Sequence, residues 1–242
     1  MEVGFRIDLV NDSREARILA VAVLEEPTRR RLYDHVVRQT GPVTRDEAAT
    51  ALGLRRTTAA FHLDRLADEG LLEVMYERRT GRSGPGAGRP MKLYRRSERH
   101  VSVSLPELRY DLAGRLLATA IEDAEASGES PRAALDRRAR ELGNELAAAA
   151  RDTVGQANGP DVVLRILEEQ GFEPRIDENA IVLGNCPFHT LAKQHTDLVC
   201  EMNLCLLDGL LAGLGTTRLQ AHLKPEPDHC CVRLEPTPAP GS

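Results

Sequence analysis

The chain has 242 residues, 41% of them hydrophobic, enough to build two domains with a core each. Its formal net charge is −5, so a nucleic-acid-binding surface must be a local concentration of cations and not a property of the whole chain. Tryptophan is absent and aromatics make up only 3%, which argues against stacking of unpaired bases on an aromatic platform, and no run of eighteen apolar residues is present to span a membrane. The first residues, Met1-Glu2-Val3-Gly4-Phe5-Arg6, lack the basic-then-apolar pattern of a secretion signal, so a cytoplasmic protein is expected.

Residues 1–26 read as an N-terminal arm with a short helix between Arg14 and Leu24. From Pro27, a proline suited to a first helical turn, Leu32, Val36 and Val37 recur at helical spacing until Gly41-Pro42 ends the segment. Thr44-Arg45-Asp46-Glu47 has the pattern of a capping box and opens a helix through Leu52, with Gly53 making the turn. A second helix from Arg55 to Glu69 puts Ala59, Leu63 and Leu66 on one face and is closed by Gly70. Leu71–Tyr76 and Met91–Tyr94 then read as two strands, joined by a segment rich in Gly, Arg, Ser and Pro. Two helices joined by a tight turn and followed by a hairpin make a winged helix-turn-helix over 27–98.

A major groove admits one helix whose exposed residues reach base edges while flanking groups hold phosphates. Arg55, Arg56, Thr57, Thr58, His62 and Arg65 supply the donors, with Arg56, Thr57 and His62 expected at bases and Arg55 and Thr58 near phosphates. Arg78, Arg79, Arg82, Arg89 and Lys92 put a positive patch on the wing, suited to phosphate or minor-groove contact with double-stranded operator DNA.

Beyond the wing, Pro106–Ala126 and Pro131–Val154 favour helix, broken at Ser127-Gly128, and read as a helical linker or dimerisation region over 99–158. Gly159-Pro160 marks the next boundary. Asp161–Gln170 is a helix, and Glu173–Leu183 a hairpin turned at Asp177-Glu178-Asn179. Asn185 is expected to cap a helix from Cys186 to Gln194, and Thr196 one from Asp197 to about Leu214. Arg218–Leu223 and Cys230–Leu234 read as strands closing a domain over 159–235, ahead of a Pro-rich tail at 236–242 expected to be disordered. The fold class is therefore α+β, with an N-terminal winged helix-turn-helix, a helical linker and a C-terminal α/β sensor domain.

All five cysteines lie in that last domain, and in a reducing compartment such a cluster points to metal before disulfides. Cys186, beside Asn185 at an expected helix start, suits a thiolate ligand. Cys205, about 140° around the helix from Cys200, is expected in the core with its leucine neighbours. Cys230 and Cys231, on a strand, would face opposite ways, so one of them would join the site, without a choice between them. His189 is an alternative ligand, and Glu201, His195 and His229 weaker ones. Thiolates of this kind hold an iron–sulfur cluster or zinc. No Gly-x-Ser-x-Gly elbow, His-Glu-x-x-His helix, phosphate-binding loop or dinucleotide fingerprint is present, so no enzyme is expected.

The run Thr57-Thr58-Ala59-Ala60-Phe61-His62-Leu63-Asp64-Arg65-Leu66 with Glu69-Gly70-Leu71-Leu72 resembles the recognition helix of ArsR-like winged-helix regulators. Gly86-Ala87-Gly88-Arg89-Pro90-Met91-Lys92-Leu93-Tyr94 is similar to the wing of the Suf-operon repressors within that class, and Gly184-Asn185-Cys186-Pro187-Phe188, Cys200 and Cys230-Cys231 resemble their cluster-binding region. The resemblance implies a homodimeric repressor controlled by a cluster, 4Fe–4S or 2Fe–2S, on Cys186, Cys200 and Cys230 or Cys231, sensing redox or iron status. Zinc on Cys186, His189, Cys200 and a terminal cysteine is the alternative. A C-terminal domain that binds a small molecule or serves oligomerisation, with packing cysteines, is a third reading.

Overall fold

The structure is a computed structural model that describes residues 13–77, 90–154, 160–215, 218–226 and 229–237. The chain divides into two compact units, Met1–Val103 and Ser104–Ser242.

In the first unit, α1 (Arg14–Ala22) runs into one 3-10 turn, Val23–Glu25. Helix α2 (Pro27–Val37) follows, with its proline in the first turn and both Glu26 carboxylate oxygens accepting from the backbone N–H groups of Thr28 and Arg29 at 3.0 and 2.7 Å. Helix α3 (Arg45–Leu52) opens on the expected capping box between Thr44 and Glu47 and stops at Gly53, whose φ of 66° places it in the left-handed region. Helix α4 (Arg56–Asp68) buries Ala59, Leu63 and Leu66 as expected. Leu32, Val36, Ala48, Leu63, Leu66, Leu72 and Tyr94 belong to the one core on which α2, α3, α4 and the sheet meet.

The sheet has order β1-β3-β2, from β1 (Val43–Thr44), β2 (Leu72–Glu77) and β3 (Met91–Arg96), with both pairings antiparallel. The expected hairpin is present, in register from Leu72↔Arg96 to Glu77↔Met91. Strand β1 was not expected: two residues carry no alternation to read, and Val43 earns its place only by pairing with Tyr94.

The second unit contains α5 (Tyr110–Ser127), α6 (Pro131–Val154), α7 (Pro160–Glu169), β4 (Pro174–Asp177), β5 (Ala180–Leu183), α8 (His189–Gln194), α9 (Thr196–Leu214), β6 (Leu219–Leu223) and β7 (Val232–Pro236). Its sheet is antiparallel throughout, in the order β4-β5-β7-β6. The helices expected as a linker are structural members of this unit, because α5 packs on α6 and α6 packs along α9. That second packing is close: a Cβ on Gly143 would stand 2.1 Å from the Leu206 carbonyl oxygen, and one on Gly209 would stand 2.1 Å from that of Arg140. Only glycine permits such an approach of two backbones.

Two expected caps are corrected. Asn185 does not cap a helix; its amide donates to the carbonyl oxygens of Glu107 and Gly171 at 2.9 and 2.7 Å, and α8 begins only at His189. Thr196 lies inside α9, whose cap position is His195, and its hydroxyl donates to the Ala192 carbonyl at 2.7 Å.

Candidate functional site

The apolar stripe of α4 faces the core, which leaves Arg55, Arg56, Thr57, Phe61 and Arg65 exposed on the other side and Thr58 half-buried at its edge. The cations are already engaged. Arg56 Nε lies 2.6 Å from Asp46 of α3, and an Arg65 guanidinium nitrogen lies 2.6 Å from Glu69 one turn on. Both pairs are about half exposed or more on the arginine side, so phosphate oxygens can exchange for the carboxylates at small cost.

His62 does not belong to this face. Its side chain is only 14% exposed and its Nδ1 stands 3.6 Å from Glu26, on the side of α4 that meets α2. Phe61, which has no hydrogen-bond donor to mark it in the sequence, is 64% exposed on the outward face. A bare phenyl ring in a groove offers apolar contact to a thymine methyl. The available signal was the period: Phe61 stands four residues after Thr57 and four before Arg65.

Lys92, expected at phosphate, is paired within the first unit, as Arg56 and Arg65 are. Its ammonium pairs with Asp64 of α4 and lies 5.3 Å from the centre of the Tyr94 ring. The Tyr94 hydroxyl donates to the same Asp64 oxygen at 2.6 Å. Burial pushes the Asp64 carboxyl up, but the bonds from Lys92 and Tyr94 outweigh it and leave it below the ordinary range. Burial and that bond together hold the Tyr94 hydroxyl far above its usual range, so it remains a donor. Arg78, Arg79, Arg82 and Arg89 lie outside the described residues.

In the second unit, four of the five sulfurs are neighbours in a chain. Cys186 meets Cys230, Cys230 meets Cys231, and Cys231 meets Cys200. Three segments bring them together: the loop after β5, the first turns of α9 and the residues just before β7. Cys230 and Cys231 precede β7 and do not lie on it, so the strand alternation expected to separate them does not apply and both thiols adjoin the others. Cys186 and Cys230 share a local motif, each sulfur accepting from the backbone N–H two residues on, from Phe188 and Val232 respectively. Cys230 also accepts from the Asn203 amide at 3.2 Å.

Three of these thiols, Cys186, Cys200 and Cys230, are held above the ordinary thiol range. The bond to Cys230, with burial, drives Cys186 far above the ordinary thiol range. Cys186 pulls Cys230 down, but the bond to Cys231 and burial prevail and leave it at about 12. Burial raises Cys200 against the opposing bond from Cys231. A positive charge that offsets this loss of water is what a metal would supply. In kind the donors suit a thiophilic metal, with N–H groups already on two sulfurs. Among the described residues, no group of three or more His, Cys, Asp or Glu side chains is placed to hold a metal ion.

Cys200 and Cys231 line a pocket of about 540 Å³ with Arg132, Asp136, Asp197 and Glu201. Cys186, Cys200 and Cys230 are buried, and Cys231 is half-buried. His189, His195 and His229 are exposed. Cys205 stands apart, its sulfur 3.5 Å from an Arg140 guanidinium nitrogen.

A family described as a helix-turn-helix domain matches residues 24–74, from the end of the 3-10 turn through α2, α3 and α4 into β2. The match supports a DNA-binding transcriptional regulator of winged-helix type. No curated protein and no solved structure matches the chain. Among the described residues no helix is long and apolar enough to cross a membrane.

Proposed function

We propose that the chain is a cytoplasmic, homodimeric winged-helix repressor whose operator affinity is controlled by an iron–sulfur cluster on Cys186, Cys200 and the Cys230-Cys231 pair, so that it senses redox or iron status. The observation that carries this reading is the gathering of four sulfurs from three segments distant in sequence, two of them on backbone N–H donors. Core filling by cysteine requires no such donors.

On the DNA side, α4 enters the major groove with Arg56, Thr57 and Phe61 toward base edges, while Arg55 and Arg65 take phosphates. Arg56 leaves Asp46 as it does so. Two copies of α4 in a dimer read two half-sites, and their separation fixes the operator spacing. On the sensing side, the N–H groups of Phe188 and Val232 hold the Cys186 and Cys230 sulfurs, and Cys231 and Cys200 close the set beside the open pocket. A bound cluster supplies a centre whose charge and integrity change with oxidation. Drawing the sulfurs together ties α9 to the sheet, and releasing them frees it, which gives the domain two states that a dimer can convert into spacing.

Zinc is the second reading, favoured by the number of thiols, since four make a complete tetrahedral set without His189. Anaerobic purification followed by a visible spectrum with iron, sulfide and zinc analysis separates the two. Brown protein that bleaches in air supports the cluster, and colourless protein with stoichiometric zinc supports the second reading. Metal-free protein after anaerobic reconstitution, with operator binding indifferent to Ser at all four cysteines, leaves a packing role for the thiols and a small-molecule or oligomerisation role for the domain.

A further inference from the structure

Asn203 lies in the middle of α9, one turn after Cys200 and on the same side of the helix, and it is fully buried at 0% exposure. Its neighbours along the helix, Val199, Met202, Leu206 and Leu207, are buried too. An amide in such a place is retained at a cost unless all its donors and acceptors are used. Here one end is used and the other is not. The Nδ2 group donates to the Cys230 sulfur at 3.2 Å, and Oδ1 has no hydrogen-bond partner.

A neutral thiol is a weak acceptor and returns little for a buried amide. The arrangement gains its full value when the sulfur is a metal ligand, because a hydrogen bond to a charged acceptor is about twice as strong as one between neutral groups. The Cys230 sulfur then sits between two N–H donors from different elements, Val232 at the start of β7 and Asn203 on α9, which fixes its direction as well as its charge.

We infer that Asn203 is a positioning residue of the thiol site, holding the Cys230 sulfur in place as a metal ligand through its side-chain amide. The inference rests on the metal-dependent reading above and adds to it a residue that is not a ligand. Its cost is paid in the metal-free protein and recovered in the loaded one.

The test uses the full chain, wild type, Asn203→Leu and Asn203→Asp, each reconstituted anaerobically with ferrous iron and sulfide and, in parallel, with zinc. The readouts are the rate of metal release to a chelator and the melting temperature of the metal-free protein. Leucine preserves volume and removes the orphaned polar atom, so metal-free Asn203→Leu melts no lower than wild type while releasing metal about tenfold faster. Asn203→Asp removes the donor at constant shape, opposes the charge of the ligated sulfur and releases metal faster still. Release as slow as wild type in whichever variants fold overturns the inference and leaves the metal-dependent reading intact. Wild-type protein that retains neither metal overturns that reading and this inference with it.

Discussion

The Tyr94 hydroxyl of β3 and the Asp64 carboxylate of α4 are joined by a 2.6 Å hydrogen bond, so the helix offered to DNA is fastened to the strand that leads out of the wing. Asp64 is held below the ordinary carboxylate range, with burial overcome by Lys92 and Tyr94. A lowered carboxylate contributes stability that is complete above its unfolded pKa and lost as pH falls through the folded one. Tyr94→Phe is therefore expected to cost about 1 kcal/mol at neutral pH. The difference between the two proteins should shrink under acid. Urea melts from neutral to acidic pH check this, and a difference that grows as pH falls contradicts the linkage.

The outward face of α4 predicts a ranking of DNA variants. Arg56→Ala and Phe61→Ala should each weaken operator binding by roughly 1–3 kcal/mol and relax the preference at one base position. His62→Ala should leave that preference unchanged, since the imidazole is turned toward Glu26. Gel-shift titrations at fixed salt on operator and scrambled duplexes decide it. A changed preference in His62→Ala would return that residue to the groove.

Glu26 caps α2 with both oxygens, and although burial pushes its carboxyl up, the backbone N–H groups of Thr28 and Arg29 bring it down to about 2. Glu26→Ala removes the cap and should destabilise the first unit by about 1 kcal/mol at neutral pH. Because the shift is downward, this contribution is present above the ordinary glutamate range and fades as pH falls toward 2. Chemical denaturation of both proteins across that range tests the sign.

Glycines in helices make a contrasting pair of predictions. Gly143→Ala and Gly209→Ala each drive a methyl into a facing backbone and should cost about 1–3 kcal/mol or more. Gly114→Ala on α5 meets nothing within 4 Å and should stabilise by roughly 0.4–1 kcal/mol. Thermal melts of the three variants should move in opposite directions.

Much of the first unit was legible because its signals are local. Thr44 and Glu47 announce a helix start, Gly53 and Gly70 announce stops, and the spacing of Ala59, Leu63 and Leu66 identifies the buried face of α4. What escaped depends on partners far away in the chain. Lys92 reads as a free cation until Asp64 is beside it, and His62 reads as a base contact until α2 is packed against it. In the second unit, Asn185 reads as a cap, although its amide is spent on the carbonyls of Glu107 and Gly171. Cys230 and Cys231 read as the start of a strand that begins two residues later, at Val232, so alternation does not decide their directions. Asn203 carried no sequence signal, because a polar residue in an apolar helix gains meaning only from the sulfur it meets.

Seated backbone on backbone at Gly143 and Gly209, α6 and α9 have no soft layer between them to absorb a tilt, so a tilt of one would carry the other with it. Helix α6 is 24 residues long, about 36 Å from end to end. A rotation of about 5° begun near Cys200 would therefore arrive at the far end of that helix as a displacement of about 3 Å. If the sulfurs respond to a metal as proposed, a small event there would be geared up along this length.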